Sequence, residues 1–376
     1  MAELQQRRRQ QMEHEKLGVQ KDIARAKELE ASKRGLEARL QTLRSHDIVS
    51  VPWEAALLST HLVGGKGTEG FGGFDVGQGG GVDVVELPGS AAICVRKGVC
   101  IVTEFIAGAL AAALGVRVAR MRLVPADSDE SRAIRDALRK WSSLSIEKEL
   151  ALVEKRLEHM EPEQAAKIRA MMSGSSVAVL EFVPGTSLDS AAAMLGDPSP
   201  SLFSELGQLC ALDLLLNNMD RVPLPCWKNS GNLTNAIITP AGELVGIDQQ
   251  VNCIGPGAGL VSYLSQVQDI SAQVFTGRAP AIATSIRVGF KMHCGIELSD
   301  RSLDHVIEGM ACVLRKAVLE YRSGILATTL AMAAATAAEL KFDCQGKALT
   351  DATGIAAKDV AFVQEILHAV SEVAAE

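Results

Sequence analysis

The sequence lacks the features that mark several large classes of protein. None of its eight cysteines forms a C-x-x-C pair, and its seven histidines are dispersed. Neither a disulfide framework nor a zinc site is therefore indicated, and we expect free thiols in a reducing compartment. The formal charge of −7 and the pI of about 5.6 are not those of a nucleic-acid-binding protein.

Segments that would enter a membrane are also missing. The N-terminus is charged from Glu3 onward and has no apolar segment of the secretory type. The uncharged run from Ser323 to Ala338 is mostly alanine and threonine and is shorter than the roughly 20 residues that span a bilayer. We therefore expect a soluble, cytoplasmic protein without a transmembrane segment. Its 376 residues are enough for a two-lobed core with an appendage.

The first 45 residues predict that appendage. They contain no proline and are rich in Gln, Glu, Lys, Arg and Ala, which favours a helix. Several leucines are spaced as a partial a/d seam: Leu29, Leu36, Leu40 and Leu43. Asp22 and Lys33 interrupt the seam, so two interpretations stay open. The helix is either a solvated extension or a coiled-coil segment that binds a partner or a second copy.

A glycine-rich stretch precedes a predicted hairpin. Gly77, Gly79, Gly80 and Gly81 lead into a strand at 82–87, a turn at 88–90 and a second strand at 91–97. Glycines let backbone N–H groups approach phosphates because no Cβ intervenes. Their spacing is not the G-x-G-x-x-G of typical protein kinases.

A lysine and a glutamate follow in a pattern that kinases use. Lys97 ends the second strand, and Glu104 lies in the helix that begins directly afterwards. Kinases hold nucleotide phosphates with a strand lysine that pairs with a helix glutamate. The alternative is a surface lysine beside a solvated glutamate.

The next segments predict an insertion and a hinge. Residues 127–172 are charged and helical in pattern, which predicts solvent-facing helices inserted between strands. An apolar strand follows and reaches Glu181, Phe182 and Val183 just before a proline. A kinase hinge would fall here, and its backbone groups would bind adenine.

The stretch from Glu205 to Asn252 contains the strongest chemical pattern. An apolar helix leads Asp220 and Arg221 into a loop, Asn235 precedes a short strand, and Asp248 follows the next strand. Two strands joined by a glycine-containing turn form a hairpin, so Asn235 and Asp248 are expected at one end of it. Their oxygens suit Mg²⁺. Asp220 would then accept a hydroxyl proton, although Asp and Asn are also ordinary turn residues.

In this order the segments resemble the catalytic domain of the actin-fragmin kinase family, an atypical branch of the protein-kinase-like fold. The resemblance covers about residues 70–340 and rests on five motifs: ICVRKG (93–98) with Glu104, VLEFVPG (179–185), LDLLLNNMDR (212–221), GNLTNAII (231–238) and GID (246–248). The predicted catalytic loop that contains Asp220 and Arg221 also resembles the catalytic loop of lipid kinases.

The resemblance implies a two-lobed α+β fold, with a small antiparallel-sheet N-lobe, a mainly helical C-lobe and the N-terminal helical extension. It places the N-lobe at 46–183 and the C-lobe at 184–376. It also implies ATP and Mg²⁺ as cofactors and a role for each site residue. Lys97 would bind phosphate and Glu104 would orient it, Asp220 and Arg221 would form the catalytic loop, and Asn235 and Asp248 would hold the metal. Asp213 would support the loop.

The chain departs from typical kinases in ways that keep alternatives open. It has neither His-Arg-Asp nor Asp-Phe-Gly, and its loop carries an insertion that leaves Asn229 and Asn232 as rival metal ligands. The leading hypothesis is a serine/threonine protein kinase, for which the family implies actin or an actin-bound complex as substrate and a link to the cytoskeleton. The others are a lipid or small-molecule kinase and a catalytically weak cytoskeletal scaffold.

Overall fold

The computed structural model describes residues 38–62, 82–97, 100–138, 176–192, 199–340 and 352–374. The chain divides into two compact units, Met1–Leu43 and Arg44–Glu376. In the first unit, residues 38–40 are helical. Most of the predicted N-terminal helix, with its interrupted leucine seam, lies outside the described residues. The part of the predicted insertion from residue 139 to residue 172 also lies outside them.

The second unit begins with a six-stranded sheet in the order β2-β3-β4-β6-β5, with β1 beside β4. The strand β1 runs parallel to β4, and the other neighbours are antiparallel. The strands are β1 Arg44–Ser45, β2 Leu58–Leu62, β3 Val82–Leu87, β4 Ala91–Lys97, β5 Met121–Val124 and β6 Val177–Glu181. Short 3-10 turns lie at Trp53–Ala55 and Pro88–Ser90, and residues 129–138 are helical.

The β3–β4 hairpin confirms the one expected from the sequence. Its register runs from Leu87 opposite Ala91 to Val82 opposite Arg96. Because side chains alternate along a strand, Ile93 and Val95 enter one apolar cluster of the sheet. Arg96 therefore shares the opposite face with Cys94, which packs against the larger core of the protein.

Helix α1, Cys100–Leu114, follows the sheet and joins it to the rest of the core. It ends at Gly115, whose φ of 74° suits a helix stop. The segment after it runs beside the second hairpin, since Gly246 donates to the carbonyl of Arg117 (3.0 Å) and accepts from the amide of Ala119 (2.9 Å). These bonds tie the first sheet to the second.

The remainder is a helical lobe with a three-stranded sheet in the order β7-β8-β9. The small sheet comprises β7 Thr186–Ser187, β8 Ala236–Ile238 and β9 Leu244–Gly246, with a 3-10 turn at Leu233–Asn235. The helices are α2 Leu188–Ala192, α3 Pro200–Leu216, α4 Ala258–Phe275, α5 Pro280–Cys294, α6 Asp300–Arg322, α7 Ile325–Ala338 and α8 Ala352–Val373. This α+β architecture, with a sheet in the first part and helices in the second, confirms the predicted kinase-like fold class. No described helix is both long and apolar enough to cross a bilayer.

Helices α3 and α6 cross unusually closely, and two glycines permit it. A Cβ on Gly207 would overlap the carbonyl of Val306, and a Cβ on Gly309 would overlap the carbonyl of Ser204. The two backbones therefore touch at positions where any side chain would separate them. Because α3 leads directly into the loop of Asp220, this crossing fixes where the loop begins.

We expect Gly207→Ala to lower the free energy of unfolding by about 3 kcal/mol, because overpacking a helix contact forces backbone shifts. The matched control is Gly108→Ala in α1, where a Cβ would meet nothing within 4 Å. That variant should be neutral or gain roughly 0.5–1 kcal/mol of helix propensity. Urea unfolding of both variants measures the difference, and equal effects would show that the α3–α6 backbones are not in contact.

Candidate functional site

A buried arginine lies at the centre of the loop that follows α3. Arg221 is fully buried, and its Nη1 lies 2.5 Å from Oδ1 of Asp213, which is also fully buried. Its Nε donates to the carbonyl of Asn235 (3.0 Å), and its Nη2 donates to the carbonyl of Ile247 (2.9 Å). One guanidinium thus joins α3, the start of β8 and the residue that precedes Asp248. The Arg221 fork therefore braces the loop against α3 and the second hairpin.

Asp213 supports the loop from the last turns of α3. Its Oδ1 also accepts a hydrogen bond from Asn218 Nδ2 (2.9 Å), and Asn217 ends the helix in the left-handed region with φ 54°. Burial raises the pKa of Asp213 to about 6, while Arg221 and Asn218 oppose the rise. The contact with Arg221 favours the ionised carboxylate over the protonated one.

The structure brings Asp220 and Asn235 together. Asn235 Nδ2 donates to the backbone carbonyl of Asp220 (2.7 Å) and to its Oδ2 (3.1 Å). Partial burial raises the pKa of the Asp220 carboxyl, hydrogen bonding from Asn232 and Asn235 lowers it, and the charge of Asp248 raises it further. The Asp220 side chain remains at the surface of the loop. An acid in this setting can accept a proton from a bound hydroxyl group.

The rival asparagines have other contacts. Asn232 accepts a hydrogen bond on its amide oxygen from the Thr234 hydroxyl (2.5 Å). Asn229 is exposed and donates its amide to the carbonyl of Met219. Asn235 uses its amide nitrogen on Asp220, which leaves its amide oxygen as the atom for a cation. This geometry favours Asn235 among the three.

Asp248 belongs to a second cluster of charges. It follows β9 with φ 57°, a left-handed conformation that an aspartate tolerates. Arg96 Nη1 contacts Asp248 Oδ1 and lies 2.5 Å from Glu104 Oε1. The Arg96 and Glu104 side chains are 6% and 2% exposed, whereas Asp248 is 35% exposed. Burial raises the pKa of Glu104, and Arg96 opposes the rise.

Among the described residues Glu104 therefore contacts Arg96, whereas the sequence pattern assigned this pairing to Lys97. The backbone of Lys97 lies in β4 opposite Val177, and its side chain is outside the described residues. The sequence interpretation missed Arg96 because either basic residue could have faced the helix. The alternation of side chains along β4 could have identified Arg96, because it places Arg96 on the same face as Cys94 and opposite to Ile93 and Val95.

The predicted hinge residues lie at the end of β6. Glu181 is buried, its amide donates to the carbonyl of Arg120 (2.8 Å), and its Oε2 accepts from Arg120 Nε (3.1 Å). Its backbone N–H is thus already engaged. Phe182 is buried and Val183 is partly buried. The predicted phosphate-loop glycines Gly77, Gly79, Gly80 and Gly81 lie outside the described residues.

A protein-family model matches the part of the sequence that contains these residues. The model of the actin-fragmin kinase catalytic domain matches residues 55–252, just over half of the chain. The chain belongs to the actin-fragmin kinase family. The match confirms the family expected from the motifs and extends from before β2 to the end of the Asp248 loop. No curated protein matches the sequence. An actin-fragmin kinase domain is a kinase domain, and such a domain in general implies a nucleotide and a divalent metal.

The buried pair of Asp213 and Arg221 can be tested by a double-mutant cycle. We expect Arg221→Met to lower the free energy of unfolding by about 3–5 kcal/mol, because it leaves a buried carboxylate without its cation. Combined with Asp213→Asn it should cost less than the sum of the two single changes, with a coupling energy of about 2 kcal/mol or more. Urea unfolding of the four proteins measures this coupling.

The control cycle uses the exposed pair of Arg132 and Asp129, whose side chains are 63% and 93% exposed. Its coupling energy should be below about 1 kcal/mol, because solvent screens surface ion pairs. Additive effects at positions 213 and 221 would show that the buried pair does not join the loop to α3.

Proposed function

We propose that this protein is an ATP- and Mg²⁺-dependent protein kinase that transfers the γ-phosphoryl group to a serine or threonine hydroxyl. The observation that carries the proposal is the hydrogen bonding of Asn235 to Asp220, together with the Arg221 contacts to Asn235 and Ile247. These contacts hold a proton acceptor and two candidate metal ligands around one loop. Protein kinases place a catalytic-loop aspartate, an asparagine and a further aspartate in these roles.

The residues present fit a divalent metal. Asn235 offers an amide oxygen and Asp248 offers a partly exposed carboxylate, and both are hard oxygen donors of the kind that Mg²⁺ takes alongside water. When bound, the metal would neutralise charge on the transferred phosphoryl group. Arg221 holds the backbone at Asn235 and at Ile247, which precedes Asp248, while the Asp248 carboxylate itself contacts Arg96.

Asp220 would orient the acceptor hydroxyl and take its proton. Its carboxylate is exposed on the loop, and one oxygen is held by Asn235 while the carboxylate stays accessible to a substrate. Burial and the neighbouring charge of Asp248 raise the Asp220 pKa, which makes it a better base than a free aspartate. Most of the rate enhancement in phosphoryl transfer comes from such positioning and from charge stabilisation.

A protein substrate suits the exposure of this loop. Met219 and Asp220 both lie at the surface, and Met219 is 42% exposed, so a hydroxyl on a folded protein can reach the acid. The family name supports actin, or a complex that contains actin, as that substrate and supports a cytoplasmic, cytoskeleton-associated setting. A coiled-coil partner or homodimer through residues 1–45 remains part of the proposal.

The decisive change is Asp220→Asn. It should reduce γ-phosphoryl transfer from ATP to purified actin by about 100-fold or more, because the base is lost, while ATP binding stays within about 2-fold. Transfer is measured with labelled ATP, and binding is measured by calorimetry. The control is Asp304→Asn in α6, which removes an exposed carboxylate of the same type and should leave both quantities unchanged. A wild-type protein that binds ATP without transferring phosphate to actin would instead support the scaffold or small-molecule alternatives.

The metal assignment has a separate test in Asp248→Asn. ATP should raise the melting temperature of the wild-type protein further when Mg²⁺ is present, since ligands that bind the folded state stabilise it. In the variant this Mg²⁺-dependent increment should disappear, because an amide is a weaker ligand than a carboxylate. Thermal melting with ATP, with and without Mg²⁺, measures it, and Asp304→Asn again serves as the control. An undiminished increment in Asp248→Asn would contradict the metal role.

A further inference from the structure

Arg96 has an arrangement that differs from that of a purely structural arginine. A single nitrogen, Nη1, contacts both Glu104 and Asp248. The Nε–H of Arg96 is buried and has no hydrogen-bond partner among the described residues. A buried donor without a partner costs free energy, so it points to an acceptor that is supplied by a ligand.

We propose that Arg96, and not Lys97, is the basic residue that binds the nucleotide phosphates in this protein. The inference rests on the proposed function and names a binding residue of the same site. Glu104 would act as the positioning residue that holds the guanidinium.

The donor geometry of Arg96 fits a phosphate group. A guanidinium presents five N–H donors in a planar fork that matches two phosphate oxygens at once. The almost fully buried Glu104 forms an ion pair with Arg96 at 2.5 Å, although its Oε1 has no hydrogen-bond partner among the described residues, so Glu104 holds the guanidinium by charge. The buried Nε–H is the donor that lacks an acceptor among the described residues, and a phosphate oxygen that enters the cluster would supply one.

The contact with Asp248 places this fork beside the candidate metal ligand. Asp248 is the most exposed residue of the three. A ligand would therefore approach Arg96 from the side that Asp248 covers. Asp248 would be the residue that holds a cation, which would balance its charge, and Arg96 would keep Glu104 as its counter-ion. The guanidinium would then be free to pair with a phosphate. Arg96 would thereby pair with Asp248 before the nucleotide binds and with a phosphate afterwards.

The test compares the affinities for ATP and adenosine, because only ATP carries phosphates. Arg96→Met should weaken ATP binding by about 10-fold or more, the loss of one charge-assisted interaction, and should leave adenosine binding within about 2-fold. Lys97→Met should lower the ratio of ATP to adenosine affinity by less than Arg96→Met does. The control Arg132→Met removes an exposed arginine and should leave this ratio unchanged. Calorimetry with each ligand, in the presence of Mg²⁺, provides the numbers.

A second variant covers the case in which Arg96→Met does not fold, since that change strands the buried Glu104 carboxylate. The double variant Arg96→Met with Glu104→Gln removes both charges and should still bind ATP at least 10-fold more weakly than the wild type while retaining adenosine. Arg96→Lys keeps the charge without the fork and should lose part of the ATP affinity.

The outcomes separate the two proposals. A larger loss of ATP selectivity in Lys97→Met than in Arg96→Met would overturn the assignment to Arg96. An equal loss of ATP and adenosine in the Arg96 variants would also overturn it, because a merely structural role lowers both. A wild-type protein that binds neither ligand would refute the proposed function itself.

Discussion

The site depends on one buried ion pair. Arg221 and Asp213 are both fully removed from solvent, which is costly for two charges unless every donor and acceptor finds a partner. The structure meets this condition for the cation, because Arg221 binds Asp213 and the carbonyls of Asn235 and Ile247 with three different nitrogens. Those carbonyls belong to the two residues that flank the candidate metal site. The geometry of the site is therefore fixed by backbone contacts to a side chain that itself takes no part in the chemistry.

Close packing around that pair explains why small residues lie nearby. A Cβ on Gly246 would lie 2.8 Å from Leu209 Cδ2 and 3.3 Å from the Arg221 guanidinium, so β9 can approach α3 only with glycine here. The same glycine pairs with the segment that follows α1 through its amide and its carbonyl. Gly246 thus lets one short strand touch the arginine on one side and the link to the first sheet on the other. The two sheets and α3 are held in a single arrangement around Asp248.

Local patterns in the sequence predicted much of the fold and part of the site. They failed where tertiary contacts determine which side chains meet. The hairpin at 82–97 and the helix that begins at residue 100 follow from turn residues and apolar spacing. The sequence also predicted that Asn235 and Asp248 lie at one end of the second hairpin, where the structure pairs Ala236 with Gly246. The choice between Arg96 and Lys97 was not accessible, because it depends on which face of β4 meets α1. Nor could the pattern reveal that Arg221 reaches the carbonyl of Ile247, a contact across 26 positions.

The two arginines of the site differ in how many of their N–H groups have hydrogen-bond partners. This difference separates an arginine that supports the fold from one that can bind a ligand. Arg221 donates to a carboxylate and to two backbone carbonyls that cannot leave, so its contacts are permanent features of the fold. Arg96 pairs with two carboxylates through Nη1, and its Nε–H has no hydrogen-bond partner among the described residues. Carboxylate contacts can be exchanged for phosphate contacts with little change in charge balance, whereas carbonyl contacts cannot. We therefore propose that Arg96, with one exchangeable acid and one unpaired donor, suits an anion that binds and leaves, while the backbone contacts of Arg221 stay in place.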